Sequence, residues 1–459
     1  MYGNKDPTSN CGFLFHNRPR RFHSLDPDPE LLALEKEVRQ RNLIYQPEVR
    51  ILLQIATLGN EANSRWAREK LLEIIEADRI MDFRTGDVFR PLAPLQLISQ
   101  GDLHLLTQVD KVDWMIPRNA LTRGMLLTGP QGGGKTRLLI WICKKLSQCQ
   151  SPVPLFILDP KQELKDCANY LNATYVEIED IRIDLSPPPG ITYTTWLTAL
   201  CPQIGEIIGV IYGVEVLQQA ATICIDQREK YIQQTGSNIE ICLNDLFLSV
   251  PFVPETSTGR RAGYREAVTT GLARILRGSG ELFKCRKGID LSTLFQQHNV
   301  IVGCRSLTDE FATKLLAFYL LWYLHELERF SPATDELRRV LILDDATRFL
   351  AARSGFEAAS GTSNFSHAYA TLRSSGNGII TVTQIPHLAD PGILALSHTV
   401  VCVGGLHYGE DTKILAQVMG LTEEQRIALS RLAQREAVGI CAGSAWPKPV
   451  HGFTPEVTI

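Results

Sequence analysis

Gly129-Pro-Gln-Gly-Gly-Gly-Lys-Thr136, or GPQGGGKT, is the stretch whose reading decides the fold. It follows the apolar run Met125-Leu-Leu-Thr128 and precedes Arg137-Leu-Leu-Ile-Trp-Ile-Cys-Lys144, whose apolar residues fall at helical spacing. Strand, glycine loop, helix is the context that makes a G-x-x-x-x-G-K-T match a phosphate-binding loop. Gly132, Gly133 and Gly134 let backbone N–H groups close around an oxyanion without Cβ clashes. The helix that follows turns unpaired N–H groups and the positive end of its dipole toward the same phosphates. Lys135 reaches the β and γ phosphates, and the Thr136 hydroxyl serves as a Mg²⁺ ligand. The expected nucleotide-binding residues are Gly129, Pro130, Gln131, Gly132, Gly133, Gly134, Lys135, Thr136 and Arg137, and the expected ligands are ATP and Mg²⁺.

Outward from this loop, the chain from about Leu103 reads as alternating strands and helices, the pattern of an α/β sheet. Pro154-Leu-Phe-Ile-Leu158 is a second buried strand and ends in Asp159-Pro-Lys-Gln-Glu-Leu164. Further apolar runs stand at Val300–Val302, Val340–Leu343, Ile379–Thr383, Thr399–Val403 and Ala437–Cys441, and their composition suits parallel strands buried on both faces. Residues 192–295 have few such runs and read as a mostly helical insertion. Residues 1–100 read as an arm followed by a small helical domain, and 101–459 as the sheet domain. Within the helical domain, a pair of amphipathic helices is expected between Glu30 and Leu58, the second starting near Pro47. A third is expected over Asn63–Asp82, with Trp66, Leu71, Leu72, Ile74 and Ile75 as its buried stripe.

Composition sets bounds on this reading. A chain of 459 residues is long enough for roughly two or three domains. Its 44% apolar and 21% charged content is ordinary for a soluble protein. With a formal net charge of −3, any DNA contact has to come from a local patch or a central pore. The 11 cysteines are dispersed, with no C-x-x-C pair, as expected of reduced thiols in the cytoplasm. The longest apolar run, Leu315–Leu324, is too short to span a bilayer and reads as a core helix. Arg20-Arg21-Phe22 has no apolar segment after it, so export is not expected. The basic-aromatic cluster His16–His23 belongs to the N-terminal arm.

Phosphoryl transfer to water needs a metal-side carboxylate and a group that orients the water. Val340-Leu-Ile-Leu343-Asp344-Asp345 ends an apolar strand in paired carboxylates, with Asp344 on the metal side and Asp345 as candidate base. The same pair also suits a helix N-cap before Ala346-Thr-Arg-Phe-Leu350. Ile379–Thr383 ends in Gln384, where a side chain faces the ligand crevice of an open α/β sheet. There it could sense the γ-phosphate or position water.

Loop GPQGGGKT, post-strand DPKQEL, strand LILDD and the stretch RSSGNGIITVTQ occur in that order. Together they resemble the HerA/FtsK superfamily of ring ATPases, especially its HerA-like and conjugative coupling protein branches. DPKQEL is similar to the DPKGEL of coupling proteins, and the closing Trp446-Pro-Lys-Pro449 is similar to HerA C-termini. The resemblance covers Leu103 to Pro455. It implies a RecA-like P-loop NTPase core with a mostly parallel sheet, a homohexamer with ATP at subunit interfaces, and DNA as partner. It also implies Walker B roles for Asp344 and Asp345, a sensor role for Gln384, and for Arg373 the role of an arginine finger reaching a neighbour's ATP. Asp159 and Glu163 match acidic positions near the metal or water.

The chain departs from the pattern in three places. Walker B is Asp-Asp here rather than Asp-Glu, helices stand where HerA has a β-barrel, and the transmembrane helices of coupling proteins are not evident. Thr256-Ser-Thr-Gly-Arg260-Arg261-Ala-Gly-Tyr-Arg265 reads as a flexible basic loop, either pore-lining or solvent-facing. The leading expectation is a Mg²⁺-dependent ATPase that translocates or pumps DNA. The alternatives are a motor similar to type IV secretion ATPases, or an ATP-gated assembly subunit of a defence or mobile-element complex with a protein partner.

Overall fold

A computed structural model describes residues 28–457 except 41–42, 46, 86, 91, 150, 255–258, 297–298 and 351–363. The His16–His23 cluster and the start of the basic stretch, Thr256–Thr258, lie outside the described residues. The chain divides at Phe83 and Arg84 into two compact units.

The first unit is built on helices Pro29–Gln40, Pro47–Leu58 and Glu61–Thr85. They bury Leu34, Val38, Leu43, Val49, Leu52, Ala56, Ala67, Leu71 and Ile75. The stripe of the third helix differs from expectation: Trp66 is 50% exposed and Leu72 53% exposed. Its inner line is Ala67, Leu71 and Ile75, three residues spaced four apart on one face. Side-chain size misled the sequence reading here, because a small buried alanine leaves no signal and a large flanking tryptophan leaves a strong one.

The second unit is an 11-stranded sheet. Its strands are β1 (Leu103–Thr107), β2 (Asp113–Ile116), β3 (Met125–Thr128), β4 (Leu155–Asp159), β5 (Ala173–Glu177) and β6 (Asn299–Gly303), followed by β7 (Arg339–Leu343), β8 (Asn377–Thr383), β9 (Thr399–Val403), β10 (Glu436–Cys441) and β11 (Val450–Phe453). Across the sheet the order is β2-β1-β11-β10-β9-β3-β8-β7-β4-β6-β5. From β9 to β5 every neighbouring pair is parallel. From β9 outward through β10, β11, β1 and β2 every pair is antiparallel. The run Ala437–Cys441, grouped by composition with the parallel strands, therefore runs against β9. Apolarity reports burial on both faces rather than direction, and β10 is covered on both, with Ala437 and Cys441 in one apolar cluster and Val438 in another.

Successive side chains of the parallel strands feed opposite layers, as the pleat requires. Phe156 and Leu158 of β4 join one core while Leu155 and Ile157 join the other. The second of these layers holds Leu138, Leu139, Ile142 and Leu146 of the helix Lys135–Ser147, which fixes the start of that helix at the end of β3. The first holds the helix Glu310–Leu327, which contains the apolar run Leu315–Leu324 as a buried core element. Among the described residues no helix is long and apolar enough to cross a membrane.

Between β5 and β6 the chain is helical over Tyr193–Ile207, Val214–Thr235, Leu243–Ser249, Gly259–Gly278 and Leu291–Gln296. Trp196, fully buried, meets Tyr319 and Tyr323 of the helix Glu310–Leu327 edge-on at 5.7 and 5.9 Å, so these helices and the sheet share one core. From Gly259 onward the basic stretch is helix, not flexible loop, and Arg265 lies in its second turn. Helical propensity of the Arg, Ala and Glu residues after Gly263 outweighs the glycines that suggested a loop.

Candidate nucleotide-binding site

Four parallel strands, β3, β8, β7 and β4, end side by side. Thr128 pairs with Thr383, Leu343 with Thr381, and Leu343 with Leu158. The residues at or just past those ends are Gly129, Gln384, Asp344 and Asp159, so residues far apart in sequence meet along one carboxyl edge. That edge is where open α/β sheets bind ligands.

The phosphate loop has the backbone its glycines allow: φ is 144° at Gly129, 78° at Gly132 and 116° at Gly134. A Cβ on Gly129 or Gly133 would strike the carbonyl oxygen of Val403 at the end of β9. A Cβ on Gly132 would meet nothing within 4 Å. Two glycines are thus demanded by packing against β9, and the third borders open space. The Lys135 side chain is buried and its ammonium donates to the carbonyls of Gly129 (2.8 Å) and Pro130 (2.7 Å). Burial, then the neighbouring Lys161, lowers its pKa. Thr136 donates its hydroxyl proton to Glu163 at 2.8 Å. Gln131 and Arg137 are exposed, flanking the loop.

Asp344 is 6% exposed, and its N–H donates to Leu158 of β4 at 3.1 Å. Burial first, then the charge of Asp159, pushes its carboxyl up to about 7. Asp345 takes a left-handed backbone, φ 50°, which turns its side chain away from the strand line. Its carboxylate lies 3.4 Å from the Lys161 ammonium. The chain is then pinned back to β8 by the N–H of Ala346 donating to Val382 at 2.7 Å.

Asp159 is wholly buried and accepts from the N–H groups of Leu164 (2.9 Å), Lys161 (3.3 Å) and Glu163 (3.3 Å). Its geometry is that of a loop-shaping carboxylate, and the loop it shapes delivers Glu163 to Thr136 and Lys161 to Asp345. Gln384 is half-buried one residue past Thr383. Arg373 stands apart: it is exposed at the opposite end of β8, next to His398, whose pKa burial, then Arg373, lowers. A strand of 7 residues places it roughly 20 Å from Gln384. The structure brings Lys135, Thr136, Asp344, Asp345 and Gln384 together and leaves Arg373 outside their crevice.

Three neighbours of the site were not singled out from sequence. Lys161 was visible only as the third residue of DPKQEL. Gln434 and Arg435 left no signal at all, yet Gln434 donates its amide to Gly132 at 3.0 Å and the Arg435 N–H donates to Gly133 at 3.0 Å. Only the antiparallel return of β10 beside β9 carries them there.

No protein-family model matches the chain, and no curated protein matches its sequence. Solved structures do match. VirB4 of Thermoanaerobacter pseudethanolicus is 12% identical over 78% of this chain and 97% of that one, with a TM-score of 0.57. The unbound bacterial conjugative coupling protein TrwBdeltaN70 is 13% identical over 82% of this chain and 92% of that one, at 0.54. TrwB in complex with the non-hydrolysable ATP analogue ADPNP is 15% identical over 81% and 93%, at 0.55. The chain shares the fold of VirB4 and TrwB. The likeness to HerA/FtsK ATPases read from the motifs therefore holds at the level of fold, a RecA-like P-loop NTPase sheet, mostly parallel.

Within this VirB4- and TrwB-like sheet, burial disfavours the charged form of Asp344. Its folded pKa, about 7, exceeds its unfolded value of 3.8, so its share of stability is full below 3.8 and is lost as pH rises toward 7. Asp344→Asn is expected to stabilise the nucleotide-free protein at pH 8 by on the order of 3 kcal/mol, with the gap closing toward pH 4. Urea melts of both proteins at the two pH values check this. A variant no more stable than the parent at pH 8 would refute it.

Proposed function

We propose that this chain is a Mg²⁺-dependent ATPase that assembles into a hexameric ring, hydrolyses ATP between subunits and uses the energy to move DNA. The observation that carries this reading is the split of the site. Lys135, Thr136, Asp344, Asp345 and Gln384 share one crevice, while Arg373 lies at the far end of the same strand that carries Gln384. An arginine a strand's length from its own chain's phosphate loop supports a role toward a neighbour's nucleotide, which would make hydrolysis depend on assembly.

The residues present fit the proposed ligands. The loop offers a glycine-lined nest at a helix N-terminus, with open space beside Gly132. Thr136, Asp344 and Glu163 form an oxygen-only donor set, the kind Mg²⁺ prefers. Thr136 and Asp344 would hold Mg²⁺, which neutralises charge on the β and γ phosphates when bound. Lys135 exchanges the loop carbonyls for phosphate oxygens, Gln384 orients the attacking water and reports the γ-phosphate, and Asp345, held by Lys161, takes the proton from water. Asp345 is one methylene shorter than glutamate, which makes slow turnover the expectation. Arg373 of a neighbour stabilises the charge that builds on the transferred group. The sheet unit and the helices between Tyr193 and Gln296 form the motor, and the N-terminal helices are an appendage. Dispersed free thiols suit a reducing cytoplasm.

Steady-state ATP hydrolysis with linear double-stranded DNA of increasing length tests the motor. Turnover that rises with DNA length until it saturates is the expected result. Turnover indifferent to DNA would remove DNA as the moved polymer while leaving the ATPase.

A further inference from the structure

The turn before β10 forms an outer wall of the phosphate loop. Gln434 donates its side-chain amide to the carbonyl of Gly132, and the N–H of Arg435 donates to that of Gly133, each at 3.0 Å. The turn is itself anchored. Glu436 accepts from the Ala433 N–H at 2.6 Å and pairs with His451 at 2.7 Å, both side chains being 2% exposed. The carbonyl of Arg435 accepts from the Thr454 N–H at 2.9 Å.

Arg435 is out of place in this turn as far as its backbone is concerned. Its φ is 70°, a conformation that glycine takes freely and a side chain resists. Its Cα and Cγ both lie 3.8 Å from where a Cβ on Gly134 would be, beside the N-terminus of the helix Lys135–Ser147. The guanidinium donates to Glu456 at 2.9 Å and to the Thr454 carbonyl at 3.3 Å. Glu456 is 83% exposed, so this pair is screened by water and readily exchanged. A guanidinium binds phosphate oxygens in bidentate fashion and more strongly than it holds one exposed carboxylate. Resting on the ATP-binding reading above, we propose that Arg435 is a nucleotide-contacting residue whose guanidinium leaves Glu456 for the phosphates of the bound nucleoside triphosphate, while the backbone bond from Thr454 keeps the turn in place.

Affinity for a non-hydrolysable ATP analogue with Mg²⁺, measured on the full chain, tests this with two variants of opposite expected sign. Arg435→Gly keeps the left-handed backbone at no strain while deleting the guanidinium, so its nucleotide-free melting temperature should not fall. Its affinity should drop about tenfold. Glu456→Gln removes the competing carboxylate and should tighten binding roughly two- to threefold. If the pair were only structural, both variants would weaken binding or neither would change it, and either result overturns the assignment. A parent protein that binds the analogue, with Arg435→Gly unchanged, sinks this inference alone. A parent that binds no analogue sinks the ATPase reading with it.

Discussion

Arg373→Ala is expected to leave ATP binding and ring mass unchanged while slowing hydrolysis by roughly 10³-fold or more, the loss typical of an arginine supplied in trans. The expectation rests on placement. Arg373 is exposed, follows the end of a helix at Leu372 and precedes β8, so its removal empties no core position. It stands near His398, just before β9, and helps lower the pKa of that imidazole. Mixing supplies the decisive arm. In a one-to-one mixture of Arg373→Ala and Lys135→Ala subunits, roughly a quarter of randomly formed interfaces combine an intact Lys135 with an intact Arg373 from the neighbour. Hydrolysis should therefore return in the mixture although each variant alone is inactive. If Arg373 acts within its own chain, or only forms a surface ion pair, no such rescue occurs and the ring reading loses its main support.

Lys135→Ala is expected to abolish measurable turnover, a loss of at least about 10³-fold, and to weaken ATP binding as well, which separates it from Arg373→Ala. Burial already disfavours the charged form of Lys135 in the ligand-free protein. Removing it should therefore change the nucleotide-free melting temperature little, since a desolvated charge held by two carbonyls contributes little net stability. Nucleotide affinity by calorimetry and turnover by phosphate release check both halves. Residual turnover within tenfold of the parent would mean that the loop does not hold the reacting phosphates.

The loop GPQGGGKT could be read directly because the features that suit phosphate binding are local. Glycine backbone freedom, a helix N-terminus and a lysine all lie within one short stretch, flanked by its own strand and helix. The core strands were legible for a similar reason, since burial on both faces leaves unbroken apolar runs such as Leu341–Leu343. Strands β1, β2, β5 and β11 sit toward the edges of the sheet and carry polar residues such as Asp113, Thr174 and His451, so composition alone did not mark them all. The direction of β10 was equally hidden, because two-sided burial looks the same in a parallel and an antiparallel strand.

By itself, the sequence determined the α/β class, the glycine loop and Asp344, Asp345 and Gln384 as candidates, because each is tied to the end of an apolar run. Arg373 became a candidate only through the resemblance of its stretch to the HerA/FtsK pattern. Only the tertiary structure decided which of them meet. Strand order is set by crossovers between segments far apart in the chain, and it alone puts β8 between β3 and β7. That arrangement sets Gln384 beside the loop and Arg373 at the other end, buries Asp344 next to Asp159, and gives Asp159 a loop to shape. It also brings Gln434 and Arg435 against Gly132 and Gly133, a contact between residues some three hundred positions apart that no local pattern of side chains could encode.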